Sequence, residues 1–545
     1  MTTTIVSPPQ TWTAVPEADR TVDETLCADA YLLPGLAEYA RSLLQYAPAT
    51  AWAPSTALDI LALSRHSAVA LRIRRRRTVA LCALLVLAAA VPAVVAADLL
   101  GPVAALVVAV GLVSLWARRT HTVYKGRGRI HGSGRRVLVG LVVAPLALLS
   151  LALEPRLWIV AGAFLLAWVA VVAELLWARH RAWLVLGRAG KLRDLAPPLD
   201  PTIEERIGRL TTTNVVAYHS ARAPTPFVGS GFLVRPWSIN VDVRRGARDE
   251  HGEERAPEAV DVIALYEFLG KQFVVEAAVE SGGVRRLNAT FRLYVDGGHV
   301  PWSSDLLTGD PPRMHHELSW NELAARIRQL DGANHLRVYF CLEEVGRHGE
   351  IAVALFVRPY LRGGLLTVGL FPHVMPPLDR ALETAVASLP HHPLDRLRQA
   401  LRDGTRHTPA LILASPAQCA GEVWRAVRLY RARRKWHRAA RRRRPWDFGA
   451  LISLREGVSV TDPKALSLVV MSDLSGTYNY LSSRVLGSVK AFLDQRGIDT
   501  RVLDGTADNV QNWNFGDVRA DMISFGDHNT LRHGSERDDD DDRTE

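Results

Sequence analysis

Lysine is nearly missing from this chain: six of its 66 basic residues are lysine and the rest are arginine, against 56 acidic residues and a net charge of +10. With abundant alanine, leucine and valine, that bias carries the mark of a high-GC coding sequence. Cysteine is scarce as well. Cys27, Cys82, Cys341 and Cys419 are scattered, with no two at metal-ligand spacing. This argues against a disulfide scaffold or a zinc ribbon and fits a reducing compartment. The opening MTTTIVSPPQ has no cationic segment followed by an apolar core, so no cleaved signal peptide is expected. Signatures of common chemistries are missing too: there is no His-Glu-x-x-His, no Gly-Lys-Ser/Thr loop ending and no Gly-Asp-Ser-Gly-Gly. No catalytic residue, metal ligand or cofactor is expected on these grounds.

What the chain has in quantity is long apolar runs, at 78–97, 99–116, 137–153 and 157–177. At a rise of about 1.5 Å per residue, runs of this length reach across a hydrocarbon core of about 30 Å. Lipid offers the backbone no hydrogen bonds, so such runs should be helices. Asp98 with Gly101-Pro102, and Glu154-Pro155-Arg156, divide them into two hairpins. Arginine collects before, between and after the hairpins: Arg74, Arg75, Arg76 and Arg77; Arg118, Arg119, Arg135 and Arg136; then Arg179 and Arg181. Cationic flanks stay cytoplasmic. The pattern predicts a multi-pass protein of the inner (plasma) membrane with both termini cytoplasmic. Glu174 is the one ionisable residue inside a run, near enough to its end to reach the interface. So little polar lining suits an anchor better than a transport pathway.

The expected fold class is therefore membrane α-helical, four transmembrane helices in two hairpins, plus a cytoplasmic α+β or mixed α/β domain. Residues 1–73 form a cytoplasmic N-terminal helical region, with helices over 21–45, interrupted at Pro34, and 55–72. The membrane domain takes 74–187 and a proline-punctuated linker 188–211. The α/β domain takes 212–420. Its strands are expected at 214–219, 232–243, 287–295, 335–343, 351–357, 365–370 and 410–414, and its helices at 260–275, 320–330, 378–389 and 394–401. Ser319 and Glu322 have capping-box spacing. A basic helix and a second helical segment fill 421–500, and a Gly/Asp-rich β-like repeat with an acidic tail fills 501–545.

Gly229-Ser230-Gly231 is the candidate cofactor-binding turn. A glycine turn opening a helix can hold a pyrophosphate, but Pro236 follows and a strand fits better, so a tight structural turn is the plainer reading. The histidines His315-His316-Glu317, His391-His392 and His373 lack metal-ligand spacing. Residues 431–444 concentrate Arg433, Arg434, Lys435, Arg441, Arg442, Arg443 and Arg444 around Trp436. A lipid bilayer with an anionic inner leaflet is the expected partner of this helix, ahead of nucleic acid. Phe515-Gly516-Asp517 recurs as Phe525-Gly526-Asp527, so the 510–530 segment could self-associate through strand edges.

This plan of four spans, Gly-Ser-Gly segment, basic helix and Gly-Asp tail resembles multi-pass actinobacterial membrane proteins with a large cytoplasmic C-terminal region, a resemblance that implies no activity. The function expected is a membrane-anchored cytoplasmic interaction or regulatory protein. The alternatives are a membrane-tethered enzyme or nucleotide-binding effector, and a transporter or channel component.

Overall fold

The computed structural model describes residues 21–45, 51, 53–95, 158–211, 213–219, 225–234, 236–248, 256–280, 286–309, 312–329, 335–450, 453–460 and 466–503. At its centre is a mixed seven-stranded sheet. The strands are β1 (Val215–Tyr218), β2 (Phe232–Leu233), β3 (Trp237–Asp242), β4 (Arg286–Asp296), β7 (Leu336–Gly346), β8 (Ile351–Arg362) and β9 (Leu365–Met375). A separate ribbon pairs β5 (Leu307–Thr308) with β6 (Arg313–Met314). β1 runs parallel to β4; β4, β7, β8 and β9 follow antiparallel, and β2 and β3 share the outer edge of β9.

Side chains alternate between the faces of a strand, and here both faces are buried. Val353, Leu355 and Val357 of β8 join Leu342 and Leu370 in one core, closed by α6 (Val262–Glu280) through Tyr266, Leu269 and Phe273 and by α10 (Leu468–Asp494) through Leu474, Leu481 and Phe492. Ala354 and Phe356 point the other way, beside Tyr294, Tyr339 and Cys341, under Phe227. This double burial explains why residues 351–357 read as one unbroken apolar run.

Beside the sheet, α1 (Val22–Leu32), α2 (Pro34–Gln45), α3 (Ile60–Val95), α4 (Trp158–Val185) and α8 (Arg380–Ala387) enclose a second core containing Leu26, Tyr31, Leu63, Ala178, Ala182 and Leu382. Thr21 and Glu24 make a reciprocal capping box at the start of α1. α5 (Pro201–Thr211) is tied to α3 by the Arg65–Glu204 ion pair at 2.7 Å. Ser319 and Glu322 cap α7 (Trp320–Gln329) as their spacing predicts.

The largest departure from the sequence reading is α9 (Pro393–Arg441), one helix of 49 residues. It absorbs the strand expected at 410–414, and the boundary expected at 420/421 falls inside it. Asp403 pairs with Arg179 of α4, Val172 packs on Gly404, and Trp168 donates to Thr405 Oγ1 at 3.2 Å. Further on, the partners belong to α3 and α2: Thr78 Oγ1 donates to Gln418 at 3.2 Å, and Arg41 meets Glu422 at 2.9 Å. Pro409 and Pro416 lie where α9 passes from α4 to α3, the kind of position at which helices bend.

The four-transmembrane-helix fold with a separate cytoplasmic domain is therefore corrected. Among the described residues a single helix, over Gly162–Val185, is long and apolar enough to cross a membrane. The expected first span is the far half of α3, whose near half is buried against α1 and α2 with no break at residue 73. α9, assigned to the cytoplasmic side, packs on both α3 and α4. The multi-pass inner-membrane placement with both termini cytoplasmic falls with the four spans. The runs at 99–116 and 137–153, the loop carrying Arg118, Arg119, Arg135 and Arg136, the 510–530 repeat and the acidic tail lie outside the described residues.

Candidate functional site

The Gly-Ser-Gly turn is the first place to look for a ligand, and its amides have a partner from this chain. Gly229 N–H and Gly231 N–H donate to Glu456 Oε1 at 2.7 and 3.1 Å, and Ser453 N–H donates to Oε2 at 3.2 Å. The turn thus binds an anion, but the anion is a half-buried carboxylate of the protein. Burial raises the Glu456 pKa, and the backbone donors act against that rise. Both glycines are required. Gly229 has φ +99° and a Cβ there would meet Pro54 O at 2.0 Å; Gly231 has φ +86° and a Cβ would meet Val374 O at 2.2 Å. Neighbouring Arg455, fully buried, donates to the carbonyls of Glu350 at 2.8 Å and Pro376 at 3.1 Å. Residues 453–459 therefore staple the helical layer to the sheet.

The cationic residues separate into two groups. Arg75 and Arg76 are exposed on α3, whereas Arg74 and Arg77 turn inward to buried Glu174 at 3.9 and 2.9 Å. Beyond them, large apolar side chains of α3 and α4 face outward: Val86 is 62% exposed, Leu87 51%, and Leu165 and Leu166 59% each. Inside this projection Leu81, Ala167 and Val171 are buried against one another and against Leu411 and Ile412 of α9. The other group, Arg433, Arg434, Lys435, Arg441, Arg442, Arg443 and Arg444, is exposed at the far end of α9. There Trp436 is buried, with the Arg313 guanidinium 6.0 Å from its ring centre, and Arg444 O accepts from Trp302 at 2.8 Å. This basic end lies against the sheet and its ribbon, away from the apolar projection.

Of the histidines singled out by sequence, His373 is buried among Phe227 and Phe356, its pKa pushed down to about 4 by burial. His392 accepts from Leu394 N–H as the N-cap of α9, and His315 and His316 stack on each other 5.8 Å apart. The histidines that do gather with carboxylates are others. The β4–β7 register sets Asp296 beside His335, whose carbonyl accepts from Asp296 N–H at 3.1 Å. A short 3-10 turn, Gly297–His299, follows; Asp296 caps it, taking Gly298 N–H on Oδ1 at 3.0 Å and His299 Nδ1 on Oδ2 at 2.7 Å. The rings of His299 and His335 stack 4.0 Å apart and nearly parallel. One ligand atom from each of Asp296, His299 and His335 lies within 4.8 Å of the others.

A second carboxylate adjoins them. Phe448 N–H donates to Gly297 O at 3.1 Å, and Ala450 N–H to Ala217 O at 2.8 Å, so residues 447–450 run along the end of β1. A Cβ on Gly297 would meet Gly449 N at 2.1 Å, so the two backbones touch. That contact puts Asp447 beside Asp296, with His219 Nδ1 3.0 Å from Asp447 Oδ2. All five side chains stand at the carboxyl ends of the parallel pair β1 and β4. The sequence gives little sign of this cluster, because it joins residues 219, 296, 299, 335 and 447. The local clue is Asp296-Gly297-Gly298-His299, a turn signal ending in a histidine.

Residues 236–529, more than half of the chain, match the AbeC-like domain. The chain belongs to the AbeC-like domain family. Its AbeC-like region opens at β3 and takes in Asp296, His299, His335 and Asp447, together with α9 and α10. His219, the Gly-Ser-Gly turn and helices α1 to α5 precede the AbeC-like region. Neither a curated protein nor a solved structure matches the chain.

Proposed function

We propose that this AbeC-like protein is a membrane-associated interaction protein that enters lipid with the projecting ends of α3 and α4 and keeps its sheet in water. The observation that carries the reading is the outward apolar surface of Val86, Leu87, Leu165 and Leu166. Phe164 and Val169 extend it, and Arg75 and Arg76 border it on the α3 side. A large apolar side chain left half exposed in water forgoes about 1 kcal/mol each, so six of them favour transfer into an apolar phase by several kcal/mol. A contiguous apolar patch rimmed by charge marks an interaction surface, and bordering arginines favour anionic headgroups by about 1 kcal/mol each. The buried Glu174–Arg77 pair gives the bundle a fixed polar floor beneath that patch.

The nucleotide-binding alternative is disfavoured by Glu456, which already holds the Gly229 and Gly231 amides. Flotation of the detergent-free full chain with phosphatidylcholine vesicles, with and without phosphatidylglycerol, tests the lipid reading. The chain should float with both, more completely on the anionic vesicles, and Leu165→Glu with Leu166→Glu should reduce the bound fraction at least tenfold. If the unaltered chain stays at the bottom of the gradient with both vesicle types, the reading is wrong.

A further inference from the structure

The structure assigns a divalent-cation site to Asp296, His299 and His335, and we propose that its ion is a borderline transition cation of the Zn²⁺ type. Three features of the cluster point to a ligand. First, the donors come from a rigid frame: Asp296 and His335 are cross-strand neighbours, and the 3-10 turn capped by Asp296 fixes His299. Second, the set is two imidazoles and a carboxylate, the mixed nitrogen and oxygen donors that such cations prefer over Ca²⁺ or Mg²⁺. Third, burial is graded. Asp296 is buried, while the His299 and His335 rings are exposed, which gives an ion an entry path and leaves coordination positions for water.

Geometry says what binding must change. Bonds of about 2.0–2.2 Å at a tetrahedral angle put neighbouring ligand atoms about 3.3 Å apart. Asp296 Oδ2 and His299 Nδ1 are now 2.7 Å apart around a shared proton. The cation takes that proton's place on Nδ1, moving the two atoms apart by about half an ångström, and the proton passes by way of solvent to Nε2, so the ring stays neutral. His335, stacked at 4.0 Å, supplies the third donor by a small ring movement. Asp296 Oδ1 stays on Gly298 N–H, so the carboxylate is held from behind while it binds, as hydrogen bonds commonly orient metal ligands. Asp447 adds negative charge nearby, its Oδ2 and Asp296 Oδ1 each within 3.6 Å of the position a Cβ on Gly298 would occupy.

The test uses the full chain after chelator treatment, titrated with Zn²⁺ by calorimetry and with Co²⁺ by visible absorption. One saturable site per chain is expected. His299→Gln and His335→Gln keep side-chain bulk at exposed positions, and each should weaken Zn²⁺ at least tenfold while metal-free circular dichroism is unchanged. His391→Gln, two residues before α9, should bind as the unaltered chain does. Absence of a saturable site, or equal affinity in the His299 and His335 variants, overturns the assignment.

Discussion

Asp29 lies fully buried in α1, and neither of its carboxylate oxygens has a hydrogen-bond partner among the described residues. Burial pushes its pKa up to about 8 from the ordinary carboxylate range. A group whose folded pKa exceeds its unfolded value contributes stability that is complete below the unfolded pKa, near 3.9, and is lost as pH rises towards the folded value. The chain should therefore lose stability between about pH 4 and pH 8. Asp29→Asn should flatten that slope and raise stability at pH 8.5 by on the order of 1–3 kcal/mol, read as melting temperatures of both proteins at pH 5 and pH 8.5. Gly231→Ala tests the staple. Positive φ together with the Val374 carbonyl contact should cost roughly 2–4 kcal/mol, seen as a lower denaturation midpoint. The turn at Gly229-Ser230-Gly231 was legible from its glycines. Its partner was not, because Glu456 is more than 200 residues away and nothing local marks it as an acceptor.

Elements were legible where local pattern and tertiary demand agree. Residues 287–295 alternate and form β4, and Pro34 separates α1 from α2 as a residue suited to a first helical turn. Residues 410–414, Ala-Leu-Ile-Leu-Ala between two prolines, read as a short strand. They are helical because Leu411 and Ile412 fill the gap between α3 and α4 beside Leu81 and Val171, and packing overrides a proline signal that by itself ends helices. This placement has a chemical signature. Cys419 Sγ lies 3.9 Å from Thr78 O, and Cys82 of α3, one turn beyond Thr78, is in hydrogen-bonding contact with Cys419. Mild copper-phenanthroline oxidation should join Cys82 to Cys419 within one chain, detected by mass spectrometry of unreduced peptides. Cys82→Ser should abolish the link, and its absence in the unaltered protein would place α9 elsewhere.

For the molecule as a whole, apolar composition placed one run in α4, the one helix among the described residues that is long and apolar enough to cross a membrane. It misassigned the architecture by treating each apolar run as a spanning unit. Whether a run crosses lipid or packs on protein depends on partners distant in sequence. Here Asp403, Gly404 and Thr405 cover part of α4, and Gln418 and Cys419 part of α3, while Val86, Leu87, Leu165 and Leu166 face outward. The strand order, with β1 parallel to β4, and the meeting of Asp296 with His335 both depend on register between distant segments, which composition does not encode. The central claim is that the projecting ends of α3 and α4 sit in lipid. Nitroxide labels at Val86 and Leu166, with Leu394 as an exposed apolar position away from the projection, test it directly in a chain whose four cysteines are replaced. In vesicles, Val86 and Leu166 labels should relax with dissolved oxygen and be shielded from an aqueous nickel chelate, whereas the Leu394 label should meet the chelate freely. Equal chelate access at all three positions would contradict the account.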